Sequence, residues 1–315
     1  MYPLKNKILS IDMGCHTYKI IEAVLTPSFK IHRFGLCPVY LLSGSKSSGR
    51  EWKRLGYRAK DTVLSFHHKS LIVRDIKLPA KQGYNLHQSI QEEIKQYQNV
   101  FNDEYDFDYT VNLPADETGY YLAKTFAVSR SVNRTYIERA IAFGLKPRII
   151  DVQINASQRV ISKIMKRCEA FSSSVCFILD LGYESITAGI ASIEGVVTQK
   201  VIPFGCRQIE GQSPIPEDAM QIITVCHQMI DYYIHHHEKD TLQYGIMHGG
   251  GVYINGLFDF IREHIPLQWN DLNFFRNCLP EVPDSMDLNL FVNSLGSLFR
   301  YNTGRREDTA EHEGN

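Results

Sequence analysis

The chain contains two copies of one short pattern, an apolar run that ends in Asp-x-Gly. The first copy runs from Ile8 to Gly14 and the second from Cys176 to Gly182. The first copy is followed by apolar runs from Tyr18 to Leu25 and from Phe29 to Phe34. The second copy is followed by corresponding runs from Ser185 to Ala191 and from Gly195 to Ile202. Such a duplication predicts two similar halves, each opening with β-hairpins, that face one cleft.

The Asp-x-Gly turn has residue types that suit a phosphate group and its metal ion. Glycine permits a tight turn and close approach of the backbone to a ligand. Turn amides and hydroxyls bind phosphate oxygens, and Asp12 and Asp180 would hold magnesium through water. One such segment alone is more often an ordinary hairpin, but the matching pair favours a ligand site.

Composition and charge exclude several classes of protein. The 315 residues suffice for two domains or one large bilobal fold, and a net charge of -1 gives no global field for nucleic acid or anionic lipid. Seven dispersed cysteines without a Cys-x-x-Cys pair argue against zinc and disulfides and suit a reducing cytosol. No apolar run reaches the roughly 18 residues that span a bilayer, and no signal-peptide core is present. We therefore expect a cytoplasmic protein with no nucleic-acid partner and no direct membrane insertion.

Hydrophobic spacing predicts two lobes and an insertion. Strand-like runs and an amphipathic helix, Leu86 to Phe101, make residues 62–128 a small inserted α+β subdomain. Residues 1–61 and 129–168 then form the first lobe, and residues 169–301 form the second. The polar residues 302–315 are expected to be disordered.

A triple glycine, Gly249 to Gly251, lies between a predicted strand and a predicted helix. Such a turn lets a flat or charged ligand lie against the backbone, although a plain tight turn explains it equally well in isolation. The order Asp-x-Gly, Asp-x-Gly, Gly-Gly-Gly resembles that of the actin, Hsp70 and sugar-kinase superfamily. The resemblance implies an α/β, ribonuclease H-like bilobal fold. In that fold the two turns grip the phosphates of ATP, and the glycine turn lies against the adenosine.

Further segments resemble the PilM family of type IV pilus assembly proteins. They are Asp12 to Lys19, Arg74 to Pro79, Glu92-Glu93 with Tyr97, Asp108-Tyr109, Ala142 to Pro147, Ile150 to Val152, Val201 to Gly205, Gly249 to Leu257 and Asn293 to Arg300. Their order and spacing match that family over nearly the whole chain. The sequence is thus similar to PilM-like members of the actin-like superfamily.

The resemblance implies a site for ATP and Mg²⁺. The residues it assigns to the nucleotide are Asp12, Gly14, Thr17, Lys19, Asp180, Gly182, Ser185, Gly249, Gly250 and Gly251. Asp12 and Asp180 would also lie near the metal ion. No catalytic residue is assigned.

Two departures from the family pattern bear on this site. Cys15 and His16 stand where the family has small hydroxyl residues, which leaves Thr17 as the hydroxyl of the turn. Residues 211–243, with Pro214 and Pro216, replace a helical insertion that carries a Glu-x-x-Lys pair and helps to hold the nucleoside. We therefore expect weak or absent ATPase activity, and ATP binding itself stays open.

The resemblance implies an assembly protein of a type IV pilus or a related type II secretion machine. It would lie in the cytoplasm, peripheral to the inner membrane, and dock the cytoplasmic N-terminal peptide of a PilN-like single-span membrane protein, with ATP as a candidate control. The groove would lie between the first lobe and the inserted subdomain and involve residues 71–78 and 86–101. Surplus acidic and aromatic residues on the helix are Glu92, Glu93, Tyr97 and Phe101.

Two alternative functions remain open at this stage. A sugar-kinase-like phosphotransferase would carry an Asp base in a large first-lobe insertion, whereas the acidic residues of this insertion lie on elements that resemble the PilM subdomain. A filament-forming division protein like FtsA would end in an amphipathic membrane helix. Residues 305–315 have no apolar face.

Overall fold

The computed structural model describes residues 7–25, 29–42, 48–80, 85–101, 104–112, 119–168, 171, 175–237 and 242–312. The chain divides into two compact units. The larger unit comprises Met1–His67 and Ala142–Asn315, and the smaller unit comprises His68–Ile141. Two five-stranded sheets and one three-stranded sheet carry the strands.

The elements alternate between strands and helices along most of the chain. The strands are β1 (Lys7–Met13), β2 (Thr17–Val24), β3 (Lys30–Pro38), β4 (Asp61–Phe66), β5 (Ile72–Pro79), β6 (Tyr105–Asn112), β7 (Tyr120–Ser129), β8 (Lys146–Val152), β9 (Val175–Leu181), β10 (Ile186–Ser192), β11 (Val196–Ile202), β12 (Tyr244–His248) and β13 (Gln268–Asp271). The α-helices are α1 (Ser48–Arg54), α2 (Leu86–Phe101), α3 (Arg130–Ala142), α4 (Gln153–Arg167), α5 (Met220–His236), α6 (Leu257–His264) and α7 (Leu288–His312). Short 3₁₀ helices span Val39–Leu42, Cys206–Gln208, Glu217–Ala219, Gly250–Tyr253 and Leu272–Cys278.

The two five-stranded sheets of the larger unit repeat one topology. Their strand orders are β3-β2-β1-β4-β8 and β11-β10-β9-β12-β13. In each sheet the first three strands along the chain are antiparallel neighbours. A fourth strand then pairs in parallel with the first, and a fifth pairs in parallel with the fourth. The duplicated hairpins in the sequence therefore correspond to a duplicated structure, and each Asp-x-Gly turn lies at the carboxyl end of a central strand.

The strand β4 belongs to the first sheet, where it pairs with β1 and β8. The boundary drawn from sequence placed it in the inserted subdomain, which was expected to begin at residue 62. Residues 62–66 are buried without interruption, as is typical of a strand covered on both faces in the middle of a parallel sheet. Hydrophobic pattern alone does not distinguish such a strand from one in a neighbouring subdomain.

Two helices, α4 and α7, provide the core between the sheets of the larger unit. One continuous hydrophobic cluster includes Ile8 and Val63 of the first sheet, Ile178 and Ile246 of the second, and apolar residues of both helices. The helices α4 and α7 approach closely at Gly296 of α7, which lies against the backbone of Ala156 in α4. The crossing helices thus join the two sheets.

The smaller unit is an antiparallel sheet, in the order β5-β7-β6, with α2 on one face. Ile90 and Ile94 of α2 are buried in its core together with Leu78, Ala123 and Ala127. The bounds of α2 coincide with the amphipathic helix that the spacing of apolar residues predicts.

The last helix, α7, continues to His312. The sequence predicts disorder from residue 302 onwards, but Arg, Glu and Ala, which favour helix, make up much of the segment that follows the buried part of α7. Residues 313–315 of that predicted tail lie outside the described part of the chain. No helix in the described ranges is both long and apolar enough to cross a membrane.

Candidate functional site

The first Asp-x-Gly turn joins β1 to β2 and holds a buried carboxylate. Asp12 has no solvent-exposed surface, and Lys19 lies opposite it in the hairpin with Nζ at 3.3 Å from Asp12 Oδ2. Gln153, the first residue of α4, donates from Nε2 to Asp12 Oδ1 at 2.5 Å. Groups of the protein itself therefore contact both oxygens of Asp12.

Gly14 and Thr17, two of the residues assigned to the phosphates, have roles inside this turn. A Cβ atom at Gly14 would lie 2.8 Å from the Thr17 carbonyl oxygen and 3.0 Å from Lys19 Nζ. Glycine therefore leaves room for the lysine to reach Asp12. The Thr17 hydroxyl lies 3.0 Å from His16 Nδ1, so it is already engaged in a hydrogen bond.

The second turn, between β9 and β10, holds Asp180. His248 at the end of β12 pairs with it across the sheet, and its Nδ1 is 3.6 Å from Asp180 Oδ1. Asn293 of α7 donates from Nδ2 to Asp180 Oδ2 at 3.4 Å. Gly182 makes the turn tight, because a Cβ there would lie 2.5 Å from the carbonyl oxygen of Ser185.

The ammonium group of Lys19 responds to both carboxylates. Burial acts to lower the pKa of Lys19, but the Asp12 and Asp180 carboxylates outweigh burial, so its pKa is raised. His248 is fully buried, and that burial lowers its pKa although both carboxylates oppose the shift. The structure thus brings Asp12, Lys19, Asp180 and His248 together, and the single ammonium group compensates part of the charge of the two carboxylates.

The three glycines after β12 differ in what surrounds them. Gly249 has a φ of +92°, and a Cβ there would lie 2.7 Å from Asp180 Oδ1. A Cβ at Gly251 would lie 2.3 Å from Cys206 Sγ. At Gly250 an added Cβ would meet nothing within 4 Å. Packing therefore accounts for the outer two glycines, and Gly250 borders open space that a ligand can approach.

The side chains around the carboxylates fit the chemistry of a nucleotide with its metal ion. Asn293 Oδ1 and both ring nitrogens of His248 are buried without hydrogen-bond partners, whereas Asp12 Oδ2 is in an ion pair with Lys19. An unpaired buried polar atom is costly, so such atoms mark a place for ordered water or a ligand. No three His, Cys, Asp or Glu side chains in the described ranges converge to hold a metal ion by themselves. The roles of Asp12 and Asp180 toward magnesium therefore stay a prediction from sequence.

Sequence reasoning missed the residues that hold the two carboxylates. Gln153 and Asn293 lie 141 and 113 positions away from Asp12 and Asp180, their respective partners, and no local pattern connects them. The sequence did contain a sign that His248 belongs to the site, because this residue directly precedes the triple glycine at the end of a predicted strand. Parallel pairing of that strand with β9 places His248 beside Asp180.

The segment between Gly205 and α5 is the one in which the resemblance predicts a shortened insertion. Between Gly205 and α5 the chain forms two 3₁₀ helices, Cys206–Gln208 and Glu217–Ala219, with Pro214 and Pro216 in the loop between them. The predicted shortened insertion, residues 211–243, also includes residues 238–241, which lie outside the described ranges.

Similarity to solved structures shows the fold. A PilM–PilN type IV pilus biogenesis complex matches with a TM-score of 0.70 and 14% identity over 93% of this chain and 98% of that chain. The cytoplasmic domain of EpsL, an inner-membrane component of the type II secretion system of Vibrio cholerae, matches with a TM-score of 0.48 and 11% identity over 90% and 98% of the two chains. The ethanolamine utilization protein EutJ from Carboxydothermus hydrogenoformans matches with a TM-score of 0.49 and 10% identity. The match covers 95% of this chain and 91% of that chain. The first match and the repeated sheets define an actin-like fold, which confirms the predicted fold class.

The family follows from the sequence of this particular chain. The model of the type IV pilus assembly protein PilM family matches residues 45–214, which is more than half of the 315 residues. The chain therefore belongs to the PilM family of type IV pilus assembly proteins, as the ordered sequence segments predicted. No curated protein sequence matches it.

Proposed function

We propose that this protein docks the cytoplasmic N-terminal peptide of a PilN-like inner-membrane protein during assembly of a type IV pilus or a related secretion machine. Membership of the PilM family is the observation that carries the proposal. Its similarity to a PilM–PilN complex, over 93% of this chain, supports the same partner. The protein would then act from the cytoplasm and reach the membrane through that partner.

The outer face of α2 is the part of the smaller unit that we assign to the peptide. Glu92 and Glu93 are exposed, while Ile90 and Ile94 of the same helix are buried in the core. Gln88 donates to Glu92 at 3.2 Å, and Gln96 donates to Glu93 at 3.3 Å. The exposed side of the helix also carries Lys95, and the net negative charge that remains suits the Lys and Arg residues that flank membrane helices on the cytoplasmic side. Of the predicted contact residues, Tyr97 and Phe101 have side chains outside the described part of the structure.

The strand β5 supplies the second element of the proposed docking surface. It lies at an edge of the three-stranded sheet and pairs with β7. An edge strand can accept an extended peptide through backbone hydrogen bonds. Alternate side chains of the peptide then contact the surface of the protein and give specificity. Its residues Arg74, Asp75 and Lys77 are exposed, so the peptide would meet charged groups along this strand.

Reversal of charge on α2 tests this surface. Replacing Glu92 and Glu93 together by Lys should weaken peptide binding by roughly tenfold, since each exposed ion pair contributes up to about 1 kcal/mol. Calorimetric titration with the N-terminal peptide measures the effect. The matched control is Glu217→Lys with Asp218→Lys, an exposed acidic pair of the larger unit, which should leave the affinity unchanged. Equal affinities of the two double variants would place the peptide elsewhere.

We also propose that the cleft binds ATP with Mg²⁺ as a control on assembly rather than as a substrate for turnover. The nucleotide would lie along the turns at Gly14, Thr17, Gly182 and Ser185 and reach the open space at Gly250. Asp12 and Asp180 would lie near the metal ion, and Lys19 would meet the phosphates. The unpaired buried polar atoms around the carboxylates support this assignment.

Replacement of Asp180 by Ala should abolish the magnesium-dependent part of ATP binding, because it removes one of the two carboxylates near the metal. Titration with ATP in the presence of Mg²⁺ and of EDTA measures that part directly. The control is Asp259→Ala, which removes an exposed carboxylate of α6. This variant should keep the magnesium-dependent part of ATP binding. No binding of millimolar ATP by the unaltered protein would contradict nucleotide control and leave a docking scaffold.

A further inference from the structure

The two turns that flank the phosphate end of the cleft contact one another through side chains that the family pattern does not supply. The ring of His16 in the first turn packs in a tilted arrangement against the ring of Tyr183 in the second, with centroids 4.4 Å apart and planes inclined by 31°. Beside this pair, the Cys15 thiol of the first turn lies near the backbone of Glu184 in the second. Two contacts therefore bridge the turns.

Backbone hydrogen bonds hold both turns in place from behind. The amide of Val39 donates to the His16 carbonyl at 2.9 Å, and the amide of Arg207 donates to the Tyr183 carbonyl at 3.0 Å. Gly205 packs so closely behind the second turn that a Cβ there would lie 2.3 Å from the Tyr183 carbonyl oxygen. The position of each ring thus depends on a fixed backbone as well as on its own rotamer.

The charges behind the bridge are partly compensated without a ligand, because one ammonium group faces two carboxylates. Lys19 pairs with Asp12 and is influenced by Asp180. The Thr17 hydroxyl, which a phosphate would need, contacts His16 instead. The nucleoside end differs, because Gly250 borders open space. The closed arrangement therefore has room for a ligand at one end and side-chain contacts at the other.

We infer that His16 and Tyr183 form a gate across the phosphate end of the cleft, and that a polyphosphate enters only when the two rings separate. The closed form then admits a nucleoside but selects against a nucleoside triphosphate. This inference rests on the nucleotide site proposed above and adds the residues that control access to it.

Hydrogen exchange tests the gate without any ligand. His16→Ala should raise amide exchange several-fold in the opposite turn, at residues 183–186, and Tyr183→Ala should do so at residues 14–17. The control is Tyr232→Ala, which removes an exposed ring stacked on His236 at 4.1 Å and should change neither turn. Faster exchange confined to the turn that carries the substitution would overturn the gate.

Ligand titration gives the second readout. Both gate variants should bind Mg·ATP about two- to tenfold more tightly than the unaltered protein, the range that one aromatic pair supports, while affinity for adenosine stays the same. Unchanged or weaker ATP binding in both variants overturns the gate as a control on ligand entry. No ATP binding by the unaltered protein or either variant would contradict the nucleotide site itself, whereas equal ATP affinity in all three would overturn only the gate.

Discussion

Replacement of Gly296 by Ala should lower the free energy of unfolding by about 3 kcal/mol. A Cβ at this position would lie 1.8 Å from the carbonyl oxygen and 2.4 Å from the carbonyl carbon of Ala156. Helix propensity alone favours Ala over Gly by about 1 kcal/mol. The steric term dominates because the atoms in conflict are backbone, so α4 and α7 must move apart to relieve the conflict.

Denaturant unfolding followed by circular dichroism measures this loss. Gly195→Ala is the matched control, because a Cβ there meets no atom within 4 Å, and its unfolding midpoint should stay within experimental scatter of the unaltered protein. A Gly296→Ala protein as stable as the unaltered one would show that the helices do not cross as closely as described.

Replacement of Asp151 by Asn should cost about 3 to 5 kcal/mol of stability, the usual result of removing one partner from a buried ion pair. The Asp151 side chain is fully buried, and Arg159 of α4 donates to both of its oxygens, at 2.6 and 3.0 Å. Arg300 and Ser297 of α7 donate to the same carboxylate at 3.3 and 3.2 Å. Asn keeps the shape of the side chain but removes the negative charge that Arg159 and Arg300 both face.

The comparison for Asp151→Asn is Asp61→Asn, which breaks the exposed pair with Arg148. Exposed pairs contribute at most about 1 kcal/mol, so the surface variant should unfold close to the unaltered protein. Similar losses in the two variants, measured by the same denaturant titration, would contradict the structural role given to Asp151.

These two substitutions also bear on the candidate site. Gln153 begins α4 and holds Asp12, and Asn293 lies one turn before Gly296 in α7 and holds Asp180. The crossing of the helices therefore sets the positions of both carboxylates. A loosened crossing should disturb the cleft before it disturbs the smaller unit, whose core is separate.

The duplicated hairpins and the triple glycine were predictable from sequence because each is a local pattern. An apolar run that ends in Asp-x-Gly specifies a strand and its turn, and its recurrence at Asp180 specified a second sheet like the first. The helix α2 was predictable for the same reason, since Ile90 and Ile94 repeat at helical spacing.

The partners of the carboxylates were not predictable, because they depend on how distant elements cross. Nothing in the residues around Gln153 or Asn293 indicates which carboxylate they reach. His16 is exposed, as turn residues commonly are, but its contact with Tyr183 requires the relative placement of two sheets. Likewise, burial on both faces gives β4 the same apolar pattern as a strand of another subdomain.

The docking proposal is tested most directly by calorimetric titration of the whole protein with the N-terminal cytoplasmic peptide of a PilN-like membrane protein from the same organism. We expect saturable one-to-one binding that weakens as ionic strength rises, because the acidic face of α2 meets a basic peptide. A scrambled peptide of the same composition should not bind to the same extent. No binding of the native peptide at low salt to the folded protein, or equal binding of the scrambled peptide, would contradict the proposed function.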